Sequence, residues 1–342
     1  MTKMFYLPFV FVMAFMLTAC QGGSVASLQN ATGSPYEVLF VAKPALLNGP
    51  VGEEVKDILN SDVPGLPQSE SEFRVSPIPS SEFDKWVKPV RNIFIVEVSE
   101  LTTQPKLSMA ENVWSQGQMV LYLKGPSVES ILEFLPKNKQ TIIDFFVNSE
   151  LNRVIKFLRT NSSVEASEEL FKMLGVEMKL PKDVNKVHKG ENFFWASNDG
   201  LRARTDIVVY ALPYTSVDAF TLESIIATRD SVMKANIPGP VADSYMTTSM
   251  YVTPELMVKD RYGDYMAEVR GLWEVEGDAM GGPFVSHTLL DEANQRIITA
   301  EAFVFAPEKS KRNLMRSLEA ALYTLKLPQE NLLPEVPIMV SK

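Results

Sequence analysis

The chain has 342 residues, 46 % of them hydrophobic and 22 % charged, with a formal net charge of −9 and a single cysteine. The acidic balance argues against a nucleic-acid partner and against charge-driven docking on anionic lipid. One cysteine excludes an internal disulfide, and the length passes the ~250–300 residues at which a single core stops growing, so two subdomains are expected.

Lys3 precedes a 13-residue uncharged run, "FYLPFVFVMAFML" (5–17). That is too short for a bilayer core, which needs ~20 residues, but it suits a signal peptide over residues 1–19. Leu17, Thr18, Ala19 and Cys20 resemble a bacterial lipobox, which makes Cys20 the acylated residue and a lipid chain the membrane partner. The alternative is an ordinary signal peptide followed by a chance cysteine. Cleavage leaves 32 basic against 42 acidic residues and no second apolar run of transmembrane length. Residues 20–34 are rich in Gly, Ser, Asn and Thr and read as a flexible tether.

"YEVLFVA" (36–42) reads as a buried strand. "GPVGEEVKDILN" follows as a helix with proline at its first position and Val51, Val55, Ile58 and Leu59 as its stripe. "VPGLPQ" is loop. "FRVSPIP" (73–79), "RNIFIVEVS" (91–99) and "VWSQGQMVLYLKG" (113–125) read as strands. "PSVESILEFL" and "KQTIIDFFVNSELNRVIKFLR" are helical, the second through Ile143, Phe146, Val147, Leu151, Val154, Ile155 and Leu158. A third helix, "SEELFKML", ends at Gly175, and a subdomain boundary is expected after residue 178.

"NFFWAS", the turn "NDG" and "TDIVVYALPY" predict a hairpin. Thr221 caps a helix whose stripe is Leu222, Ile225, Ile226 and Met233, stopped by Pro238. In "DYMAEVRGLWEVEG", Ala267, Val269, Trp273 and Val275 point one way, while Glu268, Arg270, Glu274 and Glu276 point the other. That period of two marks a half-buried antiparallel strand whose charged face meets water. "MGGPF" turns the chain into "VSHTLL", "DEANQ" turns it into "RIITAEAFVFA", and "KRNLMRSLEAALYTLKL" is the last helix. The expected class is α+β: two similar-sized subdomains (35–178 and 179–330), each a mainly antiparallel sheet packed by helices, then a tail at 331–342. Each half opens with a strand and a helix and closes with a strand feeding a helix, so a duplication is one expectation.

"PYEVLFVA…GPVGEEV…VPGLPQ", "RNIFIVEV", "RDSVMKANIPGP…SYMTTSM", "EVRGLWEVEGDAMGGPFVSH" and "KRNLMRSLEAALYTLKL" resemble a family of Bacteroidetes lipoproteins described only as a domain of unknown function. The resemblance spans about residues 33–328. It implies an envelope lipoprotein and brings no activity or catalytic residue. Lipoproteins of that phylum sent to the cell surface carry acids just after the cysteine. Here the first acid is Glu37, which points to the periplasmic face of the outer membrane.

Chemistry is sparsely signalled. Two histidines, His188 and His287, cannot make a three-histidine site, and no calcium loop or phosphate loop is present, so no metal or cofactor is expected. Ser286 and His287 are strand neighbours on opposite faces and cannot act as nucleophile and base. His287 reads as a half-buried histidine, or as a ligand-binding one beside the Gly281–Gly282 pair. Glu274 and Glu276 have the spacing of glycosidase carboxylates, though a solvated strand face looks the same. Lys309, Lys311, Arg312 and Arg316 crowd a helix start where the dipole prefers acids. They fit either an anion site or surface pairing of Glu308 with Arg312 and Arg316 with Glu319. The expectation is a non-enzymatic, lipid-anchored protein that binds or scaffolds an envelope protein or glycan, with Arg270, Trp273, Gly281, Gly282 and His287 as candidate contacts. The alternative is an envelope glycan hydrolase with paired carboxylates.

Overall fold

The computed structural model describes residues 28–328 apart from Tyr262. The signal peptide, Cys20, the tether as far as Ala26–Ser27 and the tail at 331–342 lie outside the described residues. The last part of the expected tether is not loose. Ala31 donates to Gln116 O at 2.9 Å, Thr32 to Pro89 O at 2.9 Å, and Gln116 back to Gln29 O at 2.7 Å. Small polar residues look like linker in sequence, but main-chain hydrogen bonds need no side-chain signal.

The described residues form seven α-helices and two sheets in an α+β arrangement of two similar-sized domains. The first runs through β1 (Glu37–Ala42), α1 (Pro44–Leu47), α2 (Pro50–Leu59), β2 (Arg74–Pro79), β3 (Asn92–Val98), β4 (Lys106–Glu111), β5 (Met119–Gly125), α3 (Val128–Lys137) and α4 (Lys139–Leu158). Its strand order is β2-β1-β3-β5-β4. β1 pairs parallel with β2 and β3, β3 pairs parallel with β5, and only β4 is antiparallel. The expectation of a mainly antiparallel sheet is therefore corrected for this domain. In β1, Val38, Leu39, Phe40, Val41 and Ala42 are all buried, as in the central strands of parallel sheets, and α1 and α2 supply the crossover to its parallel neighbour β2. Phe40, Phe73, Phe94, Phe146 and Leu135 fill one side beneath the helices, and each such burial contributes about 1.5–3 kcal/mol. α3 starts at a capping box between Ser127 and Ser130.

The second domain contains α5 (Val164–Leu174), β6 (Lys186–Gly190), β7 (Phe193–Ser197), β8 (Arg204–Pro213), α6 (Leu222–Asn236), β9 (Tyr245–Ser249), β10 (Glu255–Arg261), β11 (Asp264–Glu276), β12 (Gly281–Asp291), β13 (Arg296–Phe305) and α7 (Arg312–Leu322). The sheet is antiparallel, in the order β10-β11-β12-β13-β8-β7-β6, with β9 on the far end of β11. Thr221 caps α6 and Gly175, at φ 68°, ends α5, as the sequence signals require. Ala166, Leu170 and Leu174 of α5 belong to the second core, so the change of core comes near residue 160, ahead of the expected boundary at 178. The two sheets differ in topology, so the rhyme between the halves is not that of two copies of one unit.

The sheet of the second domain is covered on both faces. One face carries Val285, Leu289, Ala300 and Val304 beneath α5 and α7. The other carries Val208, Tyr210, Val269, Trp273, Phe284 and Phe303 beneath α6. α7 joins the domains: Leu318 and Leu322 pack in the second core, and Ala320 packs in the first.

Candidate functional site

Alternation along β11 and β12 divides the expected contact residues between the two faces of the sheet. Arg270 and His287 face α7 and the first domain. Trp273 faces α6, with Gly282 paired beside it across the ladder. These residues therefore form two separate places, not one.

The charged face of β11 does not meet water throughout. Glu274 and Glu276 are exposed, but Glu268 is 1 % and Arg270 6 % exposed. The expectation of a solvated face is corrected at these two positions, because α7 and the loop after α2 cover them. Arg270 Nε donates to Glu268 Oε1 at 2.8 Å, and its Nη2 donates to Glu319 Oε1. Arg316 Nη1 donates to Glu319 Oε2 at 2.9 Å, and Nη2 holds both oxygens of Glu72 at 2.9 and 2.8 Å. The Tyr323 hydroxyl donates to Glu268 Oε2 at 3.2 Å, and the Tyr323 ring lies 4.6 Å from that of His287. His287 Nε2 is 3.4 Å from Glu268 Oε2 without hydrogen-bond alignment. His287 is fully rather than half buried. Burial pushes the Glu268 carboxyl up, but Arg270 and His287 more than reverse this and hold it well below the usual carboxylate range. Burial also acts on Glu319, where Arg270 and Arg316 win in the same direction.

The basic start of α7 is answered from the first domain. α7 has no side-chain cap of its own. Glu70 takes its place, accepting from Lys311 N at 2.6 Å and Arg312 N at 3.0 Å. Arg312 turns to Ser71 O at 2.5 Å rather than to Glu308, and the expected Arg316–Glu319 pair forms but is buried. The anion that the helix start invites is thus a carboxylate of the same chain. Gly65, at φ 76°, lets this loop cross β11. A Cβ there would stand 2.9 Å from Arg270 Cβ and 3.3 Å from Gly271 N. Arg270 and His287 consequently belong to the domain junction and are not open to a ligand.

The α6 face holds a pocket of about 170 Å³. Trp195 of β7, Trp273 of β11, Phe303 and Phe305 of β13 and Met246 of β9 form its apolar wall, and residues 237–240 after α6 and Met280 form its rim. Trp273 is 3 % exposed and donates to Val304 O at 3.3 Å, so it is a wall residue rather than the exposed contact expected. Gly281 and Gly282 lie in β12 rather than in the turn, and neither has positive φ. Gly282 is required for close approach: its Cβ would lie 2.0 Å from Val304 O and 3.1 Å from Trp273 Nε1. Gly282→Ala is expected to cost about 1–3 kcal/mol by overpacking and to move Trp273 emission to longer wavelength, as measured by thermal unfolding and tryptophan fluorescence.

One wall of the pocket is polar. Asp206 is fully buried, and its Oδ1 accepts from Trp195 Nε1 at 2.9 Å and Arg204 Nε at 3.0 Å. Oδ2 has no partner at hydrogen-bond geometry among the described residues, although the Ser197 hydroxyl lies close enough to lower the proton affinity. Burial outweighs Arg204, Trp195 and Ser197 and raises the pKa of Asp206 above its ordinary value. The Arg204 guanidinium also lies 5.1 Å from the Trp195 ring centroid.

Deeper on the same face, Arg229 of α6 is fully buried. It donates to Glu301 from Nε at 2.9 Å and Nη2 at 2.8 Å, and to Thr248 Oγ1 at 2.9 Å, with its guanidinium 4.0 Å from the Phe284 ring. Burial raises the pKa of Glu301 against the pull of Arg229. Asp206, Arg204, Trp195, Arg229 and Glu301 are absent from the sequence-based candidates. A signal existed for Arg229, which stands midway between Ile225 and Met233 on the buried stripe of α6. A charge inside an apolar stripe needs a buried partner.

Residues 31–159 match the family model of a domain of unknown function (DUF8532), and residues 163–324 match that of another (DUF4837). No curated protein matches the chain. Among solved structures it is similar to the human StarD13 (DLC2) lipid transfer and protein localization domain, at 10 % identity, over 41 % of this chain and 85 % of that one. The TM-score is 0.20, an overlap that bears on neither fold nor function. The chain is a pairing of two domains, each matching a family model of unknown function, and together the two matches cover most of its length.

Proposed function

We propose that this is a lipid-anchored protein of a Bacteroidetes cell envelope, held through Cys20 on the periplasmic face of the outer membrane, where it binds an envelope component. The observation that supports binding is the pocket on the α6 face, with an aromatic wall and the buried Asp206 carboxylate set in it. The residues forming it come from five strands of one sheet, β7, β8, β9, β11 and β13, so its walls are preformed. The sequence around Cys20 supports the anchor. The glycan hydrolase alternative rests on Glu274 and Glu276, which are exposed at the end of β11 rather than facing one another across a cleft. We do not adopt it.

Two measurements test this reading. Radiolabelled palmitate is expected to enter the wild-type protein and not Cys20→Ser, and the variant is expected to leave the membrane fraction. Equal labelling or equal retention would sink the anchor. For binding, a photo-crosslinking amino acid at Met280, on the pocket rim, is expected to capture an envelope component in cells. The same group at Leu101, 96 % exposed on the first domain, is not. Identical adducts from both positions would count against the pocket.

A further inference from the structure

We propose that the pocket on the α6 face binds a small aromatic group bearing one neutral hydrogen-bond donor, such as a phenol hydroxyl or an indole N–H, with the donor directed at Asp206 Oδ2. This rests on the reading of the pocket as a binding site and adds the class of ligand.

The size of the pocket sets the first limit. An apolar cavity of ~150 Å³ is enough to admit benzene, and this one is about 170 Å³. It holds one ring, and the remainder of a larger molecule would extend past the rim. The wall chemistry sets the second. Trp195, Trp273, Phe303 and Phe305 offer ring edges and faces, which favour offset or edge-on aromatic contacts. A sugar ring would bring several hydroxyls to a wall that is mostly carbon, and each hydroxyl left without a partner carries a desolvation cost. A plain acyl chain would leave the Asp206 oxygen as it is.

The carboxylate sets the third limit. Asp206 is 0 % exposed and Oδ2 lacks a partner at hydrogen-bond geometry. A buried acceptor without a donor costs about 1–3 kcal/mol, which a ligand O–H or N–H recovers. An anion is disfavoured beside this carboxylate. A cation is disfavoured by Arg204, whose Nε stands 3.0 Å from Oδ1 and already supplies the positive charge. A neutral donor remains. Burial already raises the proton affinity of Asp206, so accepting a neutral hydrogen bond fits its environment better than meeting a second full charge.

The test uses the full-length protein in detergent, labelled with 5-fluorotryptophan and followed by fluorine NMR. Trp195 and Trp273 report the pocket, and Trp86, 78 % exposed on the first domain, is the internal control. With p-cresol, the Trp195 and Trp273 signals are expected to shift saturably while Trp86 stays. With 4-methylanisole, which has the same ring but no donor, affinity is expected to fall at least fivefold. Met280→Trp, a half-buried rim position chosen so that the fold is spared, is expected to abolish the response. Equal affinity for the two compounds overturns the donor assignment, and wild-type binding by Met280→Trp overturns the location. If neither compound moves the pocket signals while the Met280 adduct forms in cells, the ligand class falls and the binding face stands.

Discussion

Replacing Arg316 with methionine is expected to destabilise the protein by about 3–5 kcal/mol, the range found when one member of a buried ion pair is removed. Arg316 is 5 % exposed and holds Glu72 of the first domain with two bonds and Glu319 of α7 with one. Methionine restores volume but leaves two carboxylates in a dry interface. The loss is measured as a shift of the urea midpoint. Glu72→Gln in the same background is expected to recover part of it, because the surviving charge then disappears; no recovery would mean that Arg316 acts by packing alone. The network also sets a pH window. Glu268 and Glu319 have folded-state pKa values below the unfolded value of ~4.3. Their stabilisation is present above that value and is lost as pH falls through the folded-state pKa.

Arg229→Met is expected to cost a similar amount, about 3–5 kcal/mol at pH 8, but with the opposite dependence on acid. Its partner Glu301 is fully buried, with a pKa already raised by burial despite Arg229. A raised carboxylate favours the fold below ~pH 4.3, and that contribution is lost as pH rises through the folded-state value. Without Arg229 the carboxyl protonates more readily, so the deficit in melting temperature is expected to shrink between pH 8 and pH 5. Thermal scans of both variants across that range separate the two faces of the sheet. The Arg229→Met deficit should narrow, whereas that of Arg316→Met should persist, since Glu319 stays anionic beside Arg270. A constant deficit for Arg229→Met would show that Glu301 does not take up a proton there.

Much of the local structure was legible. The alternation over residues 264–276 placed Trp273 and Arg270 on opposite faces, as found. Ser286 and His287 likewise part across β12. Thr221, Gly175 and the Gly49-Pro50 step each mark a helix end where one occurs. The edge strands β6 and β10 and the short β9 were not legible. Their exposure alternates poorly, because a strand paired on one side needs no consistent apolar face. The parallel order of the first sheet was hidden in the same way: an apolar run over residues 38–42 shows that both faces are covered, not which strand lies alongside.

By itself the sequence determined which residues share a side of each strand and helix, since the periods of two and 3.6 follow from backbone geometry. Only the tertiary structure decided what each polar side would meet. Glu268 and Arg270 have the same spacing as Glu274 and Glu276, yet the first pair lies beneath α7 and the loop at 61–72, and the second lies in water. Periodicity fixes direction, whereas burial here depends on α7, where Glu319 stands 49 residues from Arg270, and on the loop around Gly65, far earlier in the chain. For that reason the domain junction and the Asp206 pocket emerge only when the chain is folded.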